Sequence, residues 1–131
     1  MKIQDVSVLV VDDVDAMTAQ IKELLKKAGF EKVLTAKNGV EAREILATGE
    51  IHIVLCDWHM APFSGIELLK VIRQTANLAE LAFIMVTAER TSESVVKAIK
   101  SGVDDYLLKP LTIEQIYNKV FKVLVNKKVL S

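Results

Sequence analysis

The chain switches five times between short, largely apolar runs and segments whose apolar residues recur every three or four positions. Apolar runs of strand length suit strands buried on both faces of a sheet, and the helical period after each run supplies a covering layer. Strand–helix alternation of this kind predicts an α/β fold with a parallel sheet and helices on both faces. The strongest run is Ile51-His52-Ile53-Val54-Leu55-Cys56-Asp57-Trp58-His59-Met60, which ends abruptly in the carboxylate of Asp57. The carboxyl end of a strand is where an open α/β sheet binds its ligands. Asp57 is therefore expected at the mouth of a crevice.

In chain order, Val6 to Val11 reads as the first strand and runs into Asp12-Asp13. Met17, Ile21, Leu24, Leu25 and Ala28 follow at helical spacing, with Gly29 as the stop. Lys32 to Ala36 is a weaker second strand. Asn38 with Glu41 resembles a capping box, and Gly49 closes that helix. After the strand ending in Asp57, Ser64-Gly65-Ile66-Glu67 is an S-x-x-E capping box, and the helix behind it is expected to bury Ile66, Leu69 and Ile72. Leu81 to Val86 is a fourth strand ending at Thr87. Thr91 opens a helix carrying Val95, Val96 and Ile99, closed by Gly102. Tyr106-Leu107-Leu108 is a short fifth strand ending at Lys109-Pro110. Thr112 with Gln115 caps a last helix whose stripe is Ile113, Ile116, Tyr117, Val120, Phe121 and Leu124.

Four strands thus end in residues able to do chemistry: Asp12-Asp13, Asp57, Thr87 and Lys109. In a parallel sheet these ends share one edge. Like charges ~4 Å apart repel by about 4 kcal/mol at an effective dielectric of ~20, so clustered carboxylates call for a cation. Oxygen-only ligands suit Mg²⁺, which keeps several waters and takes one or two carboxylates. A carboxylate beside such a cation and a lysine is a workable phosphoryl acceptor, because that chemistry needs chiefly positioning and charge neutralisation.

The 131 residues are expected to form one domain over 1–131, with 51% hydrophobic content supplying the core. Seventeen basic residues balance seventeen acidic ones, so nothing draws the chain broadly to nucleic acid or to a membrane surface. No apolar stretch is long enough for a membrane span, and Met1 to Asp5 carry no signal-peptide core. The lone Cys56 cannot form an internal disulfide, which fits a cytoplasmic location. By strand alternation Cys56 faces away from Asp57 as a small buried hydrophobe. His52 reads as a strand-edge histidine, and Lys127-Lys128 as a solvated helix end.

Val10-Val11-Asp12-Asp13, Leu55-Cys56-Asp57-Trp58-His59-Met60, Val86-Thr87-Ala88 and Tyr106-Leu107-Leu108-Lys109-Pro110 together resemble the receiver domains of two-component response regulators. The resemblance is strongest to the single-domain chemotaxis regulators and covers nearly the whole chain. It implies a flavodoxin-like strand order 2-1-3-4-5 with five flanking helices. It also implies that Asp57 accepts a phosphoryl group from a histidine kinase or a small phosphodonor. Asp12 and Asp13 would hold Mg²⁺, with Asp13, Asp57 and the His59 backbone carbonyl as ligands. Thr87 and Lys109 would engage the phosphoryl group, and Lys109-Pro110 would be a cis peptide. Tyr106 would rotate as Thr87 moves. That would couple the pocket to a downstream protein bound on the face of the fourth helix, fifth strand and fifth helix. A protein of this kind assists its own phosphotransfer and dephosphorylation without being an enzyme in the ordinary sense. A monomer is expected, standing alone or as the receiver part of a larger regulator. The chain departs from the family pattern at Ala61-Pro62, where proline usually follows the methionine directly, and at Thr18, where a basic residue is common. His59 and Glu89 flank the pocket entrance at positions where the family varies.

Three other readings compete. Asp13-Val14-Asp15 resembles the D-x-D of haloacid-dehalogenase-type phosphatases, with Asp13 as nucleophile. A flavin carrier on the same fold conflicts with the acidic, glycine-free first loop, which cannot cradle a phosphate. A receiver that is no longer phosphorylated would be a pure interaction module.

Overall fold

Five strands, β1 (Ser7–Val11), β2 (Lys32–Ala36), β3 (Ile53–Asp57), β4 (Ala82–Thr87) and β5 (Asp105–Leu108), form one parallel sheet in the order β2-β1-β3-β4-β5. The structure is a computed structural model, and it describes residues 1–60, 64–88 and 91–130. A 3₁₀ turn, Ile3–Asp5, precedes β1. The helices are α1 (Asp15–Lys27), α2 (Gly39–Leu46), α3 (Gly65–Gln74) and α4 (Ser92–Lys100). The last, α5, is continuous but changes pitch: an α-turn at Ile113–Gln115, a π-helical stretch at Ile116–Val120 and an α-helical end at Phe121–Asn126.

The sheet separates two cores, and strand alternation assigns each side chain to one of them. Val8, Val10, Ile53, Leu55, Ile84, Val86 and Leu107 face α1 and α5, meeting Ile21, Leu25, Ile116, Val120 and Leu124. Leu9, Val11, Val54, Cys56, Phe83 and Met85 face the other way, onto Ala42, Leu46, Leu68, Leu69, Ile72 and Ala98 of α2, α3 and α4. Burying each such large aliphatic side chain contributes about 1.5–3 kcal/mol, which is why both faces of the central strands are apolar except at the strand ends.

The helix boundaries follow local chemistry. Ser64 and Glu67 form a full capping box, each bonding the other's backbone N–H. Asn38 accepts from the Glu41 N–H and Thr112 from that of Gln115. Gly29 ends α1 with φ of +112°, a conformation other residues rarely adopt.

Two expectations about exposure, on Tyr117 and Lys127, need correction. Tyr117 is 46% exposed rather than part of the α5 core stripe, which comprises Ile116, Val120, Val123 and Leu124. A π stretch has a wider turn than the α-helical period assumes. Tyr117 leans edge-on against Phe121 and leaves one side in water. On α4, Val96 and Ile99 are 47% and 60% exposed, and Ala98 is the residue that packs inward. Lys127 is not a free helix end: its ammonium lies 3.2 Å from Asp104. Asp104 also binds Arg73 and accepts from the Phe83 N–H, tying α3, β4 and the end of α5 together.

β5 is an edge strand whose outward main-chain groups are met by side chains. The Tyr106 N–H donates to the Asp105 carboxylate, and Lys119 Nζ donates to the Tyr106 carbonyl at 2.9 Å. Gln115 both accepts from the Leu108 N–H and donates to the Leu108 carbonyl.

Candidate functional site

Strand order changes direction between β1 and β3, and the carboxyl ends of these neighbours open the crevice characteristic of such a switch point. Val11 pairs with Cys56, so the next residues, Asp12 and Asp57, emerge side by side. Asp12 and Asp57 continue the alternation of Val8, Val10, Ile53 and Leu55, and Lys109 continues that of Leu107. Period two alone puts all three on one side of the sheet edge.

The carboxylates of Asp12, Asp13 and Asp57 each offer an oxygen, and these oxygens lie within 4.8 Å of one another. Asp12 and Asp57 are buried, while Asp13 is exposed at the rim. Lys109 Nζ reaches in from the end of β5 and bridges Asp57 Oδ1 at 2.9 Å and Asp12 Oδ2 at 3.2 Å. The other Asp12 oxygen accepts from the Val14 N–H at 2.9 Å, turning the chain into α1. Burial pushes the Asp57 carboxyl above its ordinary value; Lys109 opposes this, and the charges of Asp12 and Asp13 add to it. Burial would lower the Lys109 ammonium, but its bonds and charge interactions with Asp57 and Asp12 outweigh that and hold it high. Two buried carboxylates and one ammonium leave the trio with surplus negative charge. An all-oxygen donor set with that surplus and one solvent-facing member fits a hard divalent cation such as Mg²⁺.

Thr87 is buried at the end of β4, and its carbonyl accepts from the Lys109 N–H at 2.9 Å. Trp58 is buried directly after Asp57, its N–H bound to the Val86 carbonyl. His59 follows in the exposed loop, its ring 6.3 Å from that of Trp58. Tyr106 is half-buried one strand turn before Leu108, with Lys119 Nζ 4.0 Å from its ring centre. The Lys109-Pro110 peptide is cis. Cys56 faces the core opposite Asp57, and burial, with the nearby Asp57 and Asp12 charges, raises its thiol well above the usual range. Glu89 and Ala61-Pro62 lie outside the described residues.

The sequence reading missed what supports this site. A Cβ on Gly65 would overlap the Asp57 carbonyl oxygen and touch Met85 Sδ. The first residue of α3 therefore has to be glycine for the helix to seat against β3, and the Gly65 N–H bonds the Trp58 carbonyl. The sequence marks Gln115 as a cap partner only, yet its amide brackets the Lys109 backbone. Its signal was a polar side chain in the first turn of the helix that follows the strand-end lysine. A cleft of about 730 Å³ lies at the opposite edge of the sheet, by Ser7, Lys32 and His52, where lysines and acidic residues offset one another.

The comparisons with known proteins bear on the same residues. The family model described as "Response regulator receiver domain" matches residues 8–121. The chain belongs to the response regulator receiver family. This receiver domain is 38% identical over 117 residues to Chemotaxis protein CheY1 of Helicobacter pylori, spanning 88% of this chain and 94% of that protein. It is 35% identical over 120 residues to Chemotaxis protein CheY-3 of Vibrio cholerae, spanning 92% of each. Among solved structures it is similar to the chemotaxis response regulator CheY4 of Vibrio cholerae, with a TM-score of 0.83 at 26% identity over 91% of this chain and 98% of that one. A receiver domain protein from Clostridium thermocellum gives 0.83 at 29% identity, over 96% and 99%. The receiver domain is thus a phosphoacceptor module of two-component signalling, a switch and not an ordinary catalyst. Asp15 of the Asp13-Val14-Asp15 run is the first residue of α1.

Proposed function

We propose that Asp57 is the phosphoacceptor and that Asp12, Asp13 and Asp57, with the His59 backbone carbonyl, hold Mg²⁺. The observation that carries this reading is the buried Asp57 carboxylate, bridged to Asp12 by Lys109 and within 4.8 Å of both other acidic groups. A carboxylate oxygen of Asp57 attacks phosphorus as the bond from phosphorus to the donor breaks, giving an acyl phosphate. Lys109 moves its hydrogen bonds onto the phosphoryl oxygens, and the Thr87 hydroxyl donates to another. Bound Mg²⁺ would offset the charge crowded between the carboxylates and the incoming group. The same groups hold the acyl phosphate open to water, so the domain assists its own dephosphorylation.

The phosphoryl group adds about −1.5 to −2 charge at neutral pH. Thr87 and Lys109 are drawn to it, and Tyr106, on the strand that carries Lys109, follows. The output is a change in the population of shapes on the face of α4, β5 and α5. Exposed Val96, Ile99 and Tyr117 give this face an apolar centre. A cleft of about 340 Å³ between Ile99, Tyr106 and Lys122 adds a concave element. A histidine kinase supplies the phosphoryl group, and a protein target, or a further domain of a longer regulator, reads this face. The relatives' names point to chemotaxis as the pathway. We place the domain, residues 1–131, in the cytoplasm as a monomer, without direct nucleic-acid contact or membrane insertion; no described helix is long and apolar enough to cross a bilayer.

The test is incubation with acetyl phosphate and Mg²⁺ followed by mass spectrometry. One hydroxylamine-labile phosphoryl group should appear on the parent protein and none on Asp57→Asn. Label that persists in Asp57→Asn but is lost in Asp13→Asn would overturn the assignment.

A further inference from the structure

The Lys109 ammonium is bonded to Asp57 and Asp12, and how squarely its four-carbon side chain can reach them depends on where its backbone sits. On the inner side, the Lys109 N–H donates to the Thr87 carbonyl at 2.9 Å. On the outer side, among the described residues, no further strand follows β5. Instead, Gln115 Oε1 accepts from the Leu108 N–H at 3.0 Å, and Gln115 Nε2 donates to the Leu108 carbonyl at 3.1 Å and the Pro110 carbonyl at 3.3 Å. One amide has one acceptor oxygen and two donor hydrogens. All are aimed at the two residues that flank Lys109.

Gln115 is itself fixed. Its N–H donates to the Thr112 side chain, and the next residue, Ile116, is fully buried under the sheet. The grip on Lys109 is therefore anchored in the α5 core and not in a mobile surface contact.

We propose that Gln115 is a positioning residue for Lys109, holding the ammonium in line with the Asp57 carboxylate through the Leu108 and Pro110 backbone. The inference rests on the phosphoacceptor reading for its kinetic consequence, but not for its geometric one. Displacing a catalytic group by about 1 Å can slow a reaction by up to about a hundredfold, so a partial release of this grip is expected to slow phosphoryl uptake about tenfold.

The test compares Gln115→Met, which keeps length but forms none of these bonds, with Gln115→Glu, which keeps the acceptor and loses both donors. Val120→Ala, a buried α5 position remote from these bonds, reports general loosening of the helix. In Gln115→Met, Leu108 amide exchange should quicken and kcat for uptake from acetyl phosphate in Mg²⁺ should fall about tenfold at unchanged KM. Gln115→Glu should keep the Leu108 amide protected while kcat still falls. Val120→Ala should stay within about twofold of the parent. Equal slowing in Val120→Ala, or parent-like uptake in Gln115→Met, would overturn the proposal. If the parent itself takes up no phosphoryl group, the phosphoacceptor reading fails, and a crystal structure of Gln115→Met decides the geometry. Lys109 Nζ withdrawn from Asp57 supports the proposal, and a preserved 2.9 Å contact refutes it.

Discussion

Lys109 Nζ stands 2.9 Å from Asp57 and 3.2 Å from Asp12, so a single ammonium is shared by two buried carboxylates from different strands. Removing it leaves both uncompensated. Lys109→Met should destabilise the protein by about 1–3 kcal/mol, less than a fully buried pair because the lysine is partly solvated. Asp57→Asn should act in the opposite direction at pH 7 without metal. Burial holds the folded-state Asp57 carboxyl above its unfolded value. Between those two values the folded state binds more protons, so stability falls as pH rises through the window. Urea melts of both single variants and the double variant close the cycle; additive effects would exclude a direct coupling.

Magnesium should stabilise the folded chain, since the carboxylate trio exists only there. At a hundredfold excess over Kd the gain is about 2.7 kcal/mol. Asp13→Asn should raise the metal-free melting temperature by relieving repulsion and should shrink the gain from Mg²⁺. Calorimetry in millimolar Mg²⁺ against EDTA measures both; an unchanged melt would count against the site.

His52 makes a separate prediction at the other edge of the sheet. Its Nδ1 accepts from the Ser7 N–H at 2.9 Å, which only the unprotonated nitrogen can do. Burial, then the Lys32 charge, lowers its folded-state pKa below the usual 6.5. The stability it lends is complete above pH 6.5 and is lost as pH falls through the lower folded value. His52→Gln should lose that pH dependence at a cost of about 1 kcal/mol or less, because the amide oxygen can replace the acceptor. Chemical denaturation between pH 5 and 8 checks this.

Gly65→Ala tests the seat of α3. The added methyl would collide with the Asp57 carbonyl, so the helix or β3 must shift. A loss of about 1–3 kcal/mol is expected for overpacking. Phosphoryl uptake should fall with it, because the displaced backbone carries the acceptor. A melt within experimental error of the parent would show that α3 yields freely.

The strands, their order and the polar residues at their carboxyl ends were legible because period-two and period-3.6 patterns report burial directly. Ser64, Asn38 and Thr112 marked helix starts by a local bond that any sequence reader can anticipate. Of these three, Ser64 alone forms the full box. Tyr117 lies outside the predicted stripe because apolar spacing says which residues could be covered, not whether anything covers them. Gly65 and Gln115 escaped notice for a different reason. Their importance comes from contacts with residues of β3 and β5, and such pairings are a property of the folded sheet.

The sheet's far border has one more effect. Asp105, Lys119 and Gln115 occupy the places where another chain's backbone would have to bond along Tyr106 and Leu108. A neighbour cannot lengthen the sheet there by laying an extended segment alongside it without first displacing three tethered side chains. Whatever docks near β5 must therefore grip it by side-chain surface, as a helix or a loop would. In a crowded cell this same border is closed to stacking into ribbons of sheet.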